Sequence, residues 1–124
     1  MKRKFTFFIN DILESIDSIS EFIADMDYQK FTNDDKTLSA VIRKIEIIGE
    51  ATKNIPTSIT DKYKNVPWAD MAKMRDKIIH SYFGIDHLTI WNVAKIRFPE
   101  MKPKIESILT DLSDDNNQQN LFIK

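Results

Sequence analysis

The sequence predicts an all-α protein, an up-and-down helical bundle of four to five main helices. Apolar residues recur at intervals of three and four over long stretches, which is the spacing of one face of an α-helix. Only two glycines occur in 124 residues, and no stretch alternates long enough to predict a β-strand. We expect residues 1–112 to form this bundle as one domain, and the Asp-, Asn- and Gln-rich residues 113–124 to form a frayed polar tail.

The first half of the chain predicts two long helices. Apolar residues from Phe5 to Met26 keep the helical spacing and predict a first helix of about six turns, followed by a connecting segment. A second long helix begins after an N-cap at Thr32 or Asn33, where a side-chain oxygen can accept a hydrogen bond from the first turn. This helix ends before Pro56, because the residue before a proline disfavours the helical conformation.

The second half predicts shorter helices whose ends are marked by proline, glycine and capping residues. A short helix capped by Thr57 precedes a helix that opens with Pro67 in the first helical position. Gly84 can end that helix in the left-handed conformation, which glycine adopts without strain. Asp86 then caps a further helix, which Pro99 must break or kink before the last helix continues.

Composition limits the chemistry that the chain can support. There is no cysteine, so neither disulfides nor thiolate metal ligands are expected, and a reducing cytoplasm suits the chain. The two histidines lack the spacing of a metal-binding pair, and we expect no metal and no other cofactor. No apolar run reaches the roughly 20 residues of a membrane span, so no membrane partner is expected. The net charge of −1 argues against a broad basic face. No DNA partner is expected, and any contact with RNA must be local, transient or formed by assembly of several chains.

The most informative stretch is residues 75–82, Arg-Asp-Lys-Ile-Ile-His-Ser-Tyr. On a helical wheel, Arg75 lies in the middle of an apolar stripe. A charge is rarely found there unless it is paired with an opposite charge or takes part in function. In one interpretation Arg75 pairs with Glu50 inside the bundle. In the other, the stripe is an interface with a second copy of the chain. The sequence leaves both interpretations open.

The side chains of this stretch suit the cleavage of RNA without a metal. His80 can both accept and donate a proton near pH 7, and Asp76, one turn earlier, can orient its imidazole. Arg75 provides a planar set of donors for a phosphate. In such a reaction the ribose 2′-hydroxyl attacks the adjacent phosphate, His80 transfers a proton, and Arg75 stabilises the pentavalent intermediate. Arg75 and His80 are about 140° apart on a helix, so a homodimer that joins two such helices would complete the site better.

At these residues the chain resembles the HEPN superfamily and, more narrowly, the HepT toxin family. The Arg-x4-His-x-Tyr motif of that family is matched by Arg75, His80 and Tyr82. Flanking segments agree as well, at residues 47–53, 66–68 and 82–86. Asp76 stands at a polar position that often holds Asn in the family. The resemblance covers residues 5–112.

The resemblance implies a homodimeric, metal-independent ribonuclease that acts as the toxin of a toxin–antitoxin pair. The implied antitoxin is a minimal nucleotidyltransferase that transfers AMP to the motif tyrosine, here Tyr82. A nucleotide on Tyr82 would bring anionic groups to the place beside Arg75 where the substrate phosphate should bind. The alternative is a non-catalytic dimeric adaptor that binds a nucleotide or a nucleotidyltransferase, and the net charge of −1 favours this alternative.

Overall fold

The computed structural model describes residues 2–79, 84 and 86–123, with side chains for residues 5–79, 84 and 86–113. All regular structure within these residues is helical, so the predicted all-α class is confirmed. The helices are α1, Lys2–Ile23; α2, Tyr28–Thr32; α3, Asp35–Lys53; α4, Thr57–Lys62; α5, Trp68–Ile79; α6, His87–Asn92; and α7, Phe98–Ile123. A π turn at Val93–Arg97 joins α6 to α7. None of the helices, over the part of the chain that is described, combines the length and apolar character needed to cross a membrane.

The N-terminal ends of α3 and α6 are capped by aspartate side chains. Asp34 accepts a hydrogen bond from the Thr37 N–H at 3.0 Å and is the N-cap of α3. The predicted cap at Thr32 or Asn33 is therefore wrong, because these two residues belong to the end of α2. Asp86 caps α6, as the sequence predicts.

Two short helices differ in detail from the prediction. α2 forms in the segment predicted as a connection, because Asp27 accepts a hydrogen bond from the Lys30 N–H at 2.8 Å. The side chain of Phe31 is fully buried and anchors α2 to the core. α4 begins at Thr57, as predicted, but the residue in the N-cap position is Pro56 rather than Thr57.

The C-terminal part of the chain is more continuous than the sequence suggests. The irregularity predicted at Pro99 takes the form of the π turn, in which the Phe98 N–H donates to the carbonyl oxygen of Val93, five residues earlier. This wide turn directly precedes Pro99, whose ring would otherwise collide with a carbonyl of the preceding turn. The backbone of α7 then continues to Ile123, and the division into a bundle of residues 1–112 and a polar tail of residues 113–124 stays a prediction.

The long helices and α5 lie side by side in the order α7, α1, α3, α5. The contact faces are aliphatic and fully buried at Ile9, Ile12, Ile16 and Ile19 of α1, Val41, Ile45 and Ile48 of α3, and Ile105 and Ile108 of α7. Burying a side chain of this size stabilises the fold by about 1.5–3 kcal/mol. α3 is held between α1 and α5, and its position therefore determines which groups meet the motif helix α5.

Candidate active site

Arg75 lies on the side of α5 that packs against α3. The neighbouring stripe residues Trp68, Met71 and Ile78 are buried within the single chain, in which α5 packs against α3. The expectation that the whole stripe faces a second copy is therefore wrong. Arg75 itself is 29% exposed, and its Nη2 lies 3.2 Å from Oε2 of Glu50. The Arg75–Glu50 pair that the sequence left open is thus present, at the edge of the helix interface rather than inside the bundle.

Gly49 brings α3 unusually close to α5 at the position of Arg75. A Cβ placed on Gly49 would lie 2.9 Å from Cγ of Arg75, 3.1 Å from the carbonyl oxygen of Met71, and closer still to Cβ of Arg75. Because glycine lacks this atom, the aliphatic stem of Arg75 can cross α3 and carry its guanidinium to Glu50. Sequence reasoning did not assign this role to Gly49. The available signal was an isolated glycine in an apolar helix, which usually has a packing reason.

Asp76 contacts two cations through a single oxygen. Lys53 Nζ donates a hydrogen bond to Oδ1 of Asp76 at 2.5 Å, and Arg75 Nη1 donates to the same oxygen at 3.2 Å. The hydrogen bond from Lys53, together with that from Arg75, lowers the pKa of the Asp76 carboxyl below its ordinary value. Lys53 was not predicted as a site residue, because no helical spacing rule relates it to a residue on another helix.

Two predicted site residues, His80 and Tyr82, lie outside the described residues. The distance from Asp76 to the His80 imidazole, and the relation of Tyr82 to Arg75, therefore stay predictions. Gly84 is described and has a φ of 115°. This is the left-handed conformation predicted for Gly84, while its role as the residue that ends the motif helix stays a prediction, because residues 80–83 lie outside the described residues.

A cleft of about 220 Å³, which we call the motif cleft, opens beside Arg75 between α1, α3 and α5. Its apolar lining includes Phe8, Ile47 and Ile79, and its charged lining consists of Asp11, Arg43, Glu46, Glu50 and Arg75. Two large apolar side chains at or near the cleft are exposed: Ile79, which lines it, is 46% exposed, and Phe7, the neighbour of the lining residue Phe8 on α1, is 69% exposed. Among the described residues, no three His, Cys, Asp or Glu side chains are grouped as metal ligands would be.

The family model described as ribonuclease HepT-like matches residues 12–108 of this chain. The match includes α3, α5 and the whole motif. The chain therefore belongs to the HepT-like ribonuclease family, and both the predicted family and the predicted enzyme class, a ribonuclease, are confirmed.

Individual relatives match over nearly their whole length. A protein of Methanocaldococcus jannaschii that is provisionally named as an RNase is 48% identical over 113 residues, which cover 91% of this chain and 97% of the relative. A second such protein from the same organism is 45% identical over 118 residues, covering 94% and 98% of the two chains. A protein of Thermococcus cleftensis, provisionally named ribonuclease HepT, is 44% identical over 108 residues, covering 87% and 98%. No solved structure matches the chain.

Proposed function

We propose that this chain is a metal-independent RNA endonuclease that works as a homodimer and is the toxin of a toxin–antitoxin pair. The main support for the proposal is the environment of the Arg75 side chain, in a chain that belongs to a ribonuclease family. Its guanidinium is oriented by Glu50 on one side and Asp76 on the other, yet the side chain is 29% exposed at the motif cleft. A planar guanidinium held in this way can bind two oxygens of one phosphate group.

In the proposed reaction, the 2′-oxygen of a ribose attacks the adjacent phosphorus. His80 accepts the proton of the 2′-hydroxyl, and Asp76 orients the imidazole. Arg75 stabilises the negative charge that develops on the phosphoryl oxygens of the pentavalent intermediate. The 5′-oxygen of the next nucleotide then leaves and takes up a proton. The products are one RNA fragment with a 2′,3′-cyclic phosphate and one with a 5′-hydroxyl.

The size and lining of the motif cleft support the homodimer. Its volume of about 220 Å³ is below the roughly 300–1,000 Å³ of ordinary ligand pockets, so the cleft of one chain is too small to enclose a nucleotide. The exposed side chains of Phe7 and Ile79 beside it are typical of a surface that a partner covers. A second copy on this surface would also bring a second motif helix, which solves the divergence of Arg75 and His80 along one helix.

The direct test is cleavage of a 5′-labelled RNA by the purified protein in the presence of a chelator. We expect the parent to cut and to leave 2′,3′-cyclic ends, and we expect Arg75→Ala and His80→Ala to be slower by at least about a hundredfold. Lys73→Gln removes a charge from the exposed side of α5 and should cut like the parent. Equal cleavage rates for the parent and both motif variants would show that the catalytic assignment is wrong.

We propose that a nucleotidyltransferase antitoxin neutralises the enzyme by transferring AMP from ATP to Tyr82. The phenolic oxygen would displace pyrophosphate from the α-phosphorus, and the attached phosphate would add negative charge in the motif, two turns from Arg75 in sequence. After co-expression with such a partner, Tyr82 should gain mass in multiples of AMP, and Tyr82→Phe should not. An unmodified Tyr82 in an inhibited complex would exclude this mode of neutralisation.

The acidic lining of the motif cleft favours a second candidate, the non-catalytic adaptor. Three carboxylates, Asp11, Glu46 and Glu50, face two arginines there, and this excess of negative charge disfavours RNA. Expression of the chain without a partner discriminates between the candidates. Growth arrest that His80→Ala abolishes supports the enzyme. Normal growth, together with retained binding of a nucleotidyltransferase, supports the adaptor.

A further inference from the structure

Arg75 is bracketed by two carboxylates. Its Nη2 lies 3.2 Å from Oε2 of Glu50, and its Nη1 lies 3.2 Å from Oδ1 of Asp76. Two negative charges within hydrogen-bonding distance of one positive charge leave a net negative potential, which opposes the approach of a phosphate. Arg75 and its two partners alone would therefore form a weak phosphate site.

Lys53 supplies the positive charge that this arrangement needs. Its Nζ and the Nη1 of Arg75 both donate to Oδ1 of Asp76, so the two cations are close enough together for one phosphate group to contact both. The side chains of Lys53 and Asp76 are 36% and 47% exposed, and a ligand from solvent can reach them. Lys53 is also the last residue of α3, where the partial negative charge of the helix end stabilises a cation.

We propose that Lys53 is a second phosphate-binding residue of the active site, and that Asp76 holds Lys53 and Arg75 together until a phosphate of the RNA backbone replaces its carboxylate. This inference rests on the proposed ribonuclease function. A phosphate oxygen accepts the same charge-assisted hydrogen bonds as a carboxylate oxygen, so both cations exchange one anionic acceptor for another. The displaced carboxylate of Asp76 is then free to orient the His80 imidazole.

The experiment measures binding of a fluorescein-labelled, single-stranded RNA of mixed sequence over a range of salt concentrations. All variants are made in a His80→Ala background, so that the RNA is not cut. Lys53→Gln should weaken binding about tenfold, as expected for the loss of one charge-assisted hydrogen bond. It should also reduce the slope of log affinity against log salt by about 0.7, the value for one phosphate contact on a single strand.

Three further variants separate a phosphate contact from a structural role. Lys53→Arg keeps the charge and should restore the salt slope of the parent. Lys73→Gln removes a charge from the opposite side of α5, about 200° from Arg75, and should leave the slope unchanged. Asp76→Asn should tighten RNA binding, because it removes the carboxylate that competes with the phosphate. An ion pair that only stabilises the fold would give weaker or unchanged binding in Asp76→Asn.

The outcomes distinguish failure of this inference from failure of the proposed function. If Arg75→Ala weakens RNA binding but Lys53→Gln matches the Lys73→Gln control, the role of Lys53 is refuted and the ribonuclease proposal stands. Weaker or unchanged binding in Asp76→Asn refutes the exchange of carboxylate for phosphate. If the His80→Ala parent does not bind RNA and the unmodified chain does not cut it, both proposals fail together.

Discussion

Replacing Gly49 with alanine tests whether the close approach of α3 and α5 positions Arg75. The added methyl group would lie 2.9 Å from Cγ of Arg75 and 3.1 Å from the carbonyl oxygen of Met71. The first atom belongs to the base of its side chain and the second to the backbone, so neither can move without shifting α5. Overpacking of this kind costs about 1–3 kcal/mol, and the rigidity of both neighbours favours the upper half of that range.

Helix propensity acts in the opposite direction in this variant. Alanine is preferred over glycine inside a helix by about 1 kcal/mol, so the expected net loss for Gly49→Ala is about 1–2 kcal/mol. With an m-value near 2 kcal/mol/M, the midpoint of urea unfolding should fall by about 0.5–1 M. RNA cleavage should fall by at least about tenfold, because even a 1 Å displacement of a catalytic group is costly.

The assay combines urea unfolding, followed by circular dichroism, with cleavage of the 5′-labelled RNA. Ser39→Ala is the matched control, because Ser39 is exposed on α3 and its replacement should change neither stability nor activity appreciably. If Gly49→Ala is instead about 1 kcal/mol more stable than the parent, propensity alone determines the outcome. The inferred contact between the two helices would then be refuted.

Two further predictions concern stability. Because Lys53, with Arg75, lowers the pKa of Asp76 in the folded state, this ion pair stabilises the protein above the ordinary carboxyl pKa and ceases to do so as the pH falls through the lowered value. The parent should therefore be more stable than Asp76→Asn near pH 7 and lose this advantage below about pH 4. Urea unfolding at a series of pH values measures the difference in stability. A constant difference down to about pH 2 would contradict the prediction. Tyr63→Phe removes a hydrogen bond of 2.8 Å from the Tyr63 hydroxyl to Asp111 Oδ2 and should cost about 0.5–1 kcal/mol. In a double-mutant cycle with Asp111→Ala, full additivity of the two losses would show that the contact contributes nothing.

The long helices were predictable because their pattern of apolar residues repeats along the chain. The spacing of apolar residues in α1, α3 and α7 repeats over many turns, and a pattern of this length predicts a helix even where single residues do not fit it. The cap at Asp86 was predictable because it stands alone before its helix. The start of α3 was not, since Thr32, Asn33 and Asp34 can all act as caps, and only the packing of α2 decides among them.

The candidate site was predictable where its residues belong to one motif or where a charge in an apolar stripe requires a partner. Arg75 and Asp76 belong to one recognisable motif, and the pair between Arg75 and Glu50 could be proposed because charge in an apolar stripe needs a partner. The contact of Lys53 with Asp76 depends on how α3 and α5 cross, which spacing within a helix does not reveal. Gly49 was missed for a related reason. From the sequence alone, a glycine inside a helix is expected only to weaken it. Its missing Cβ matters here because α5 crosses α3 closely at this position.

Gly49, Glu50 and Lys53 all lie within little more than one turn of α3, and each meets Arg75 or Asp76 on α5. Docking of these two helices therefore also assembles the group of residues proposed to bind the phosphate. A nascent or partly opened chain in which α3 is not yet packed against α5 would lack the contact of Arg75 with Glu50 and that of Lys53 with Asp76. Ribonuclease activity should therefore depend on the docking of α3 against α5, so that a chain in which these two helices have not yet packed should not cleave RNA.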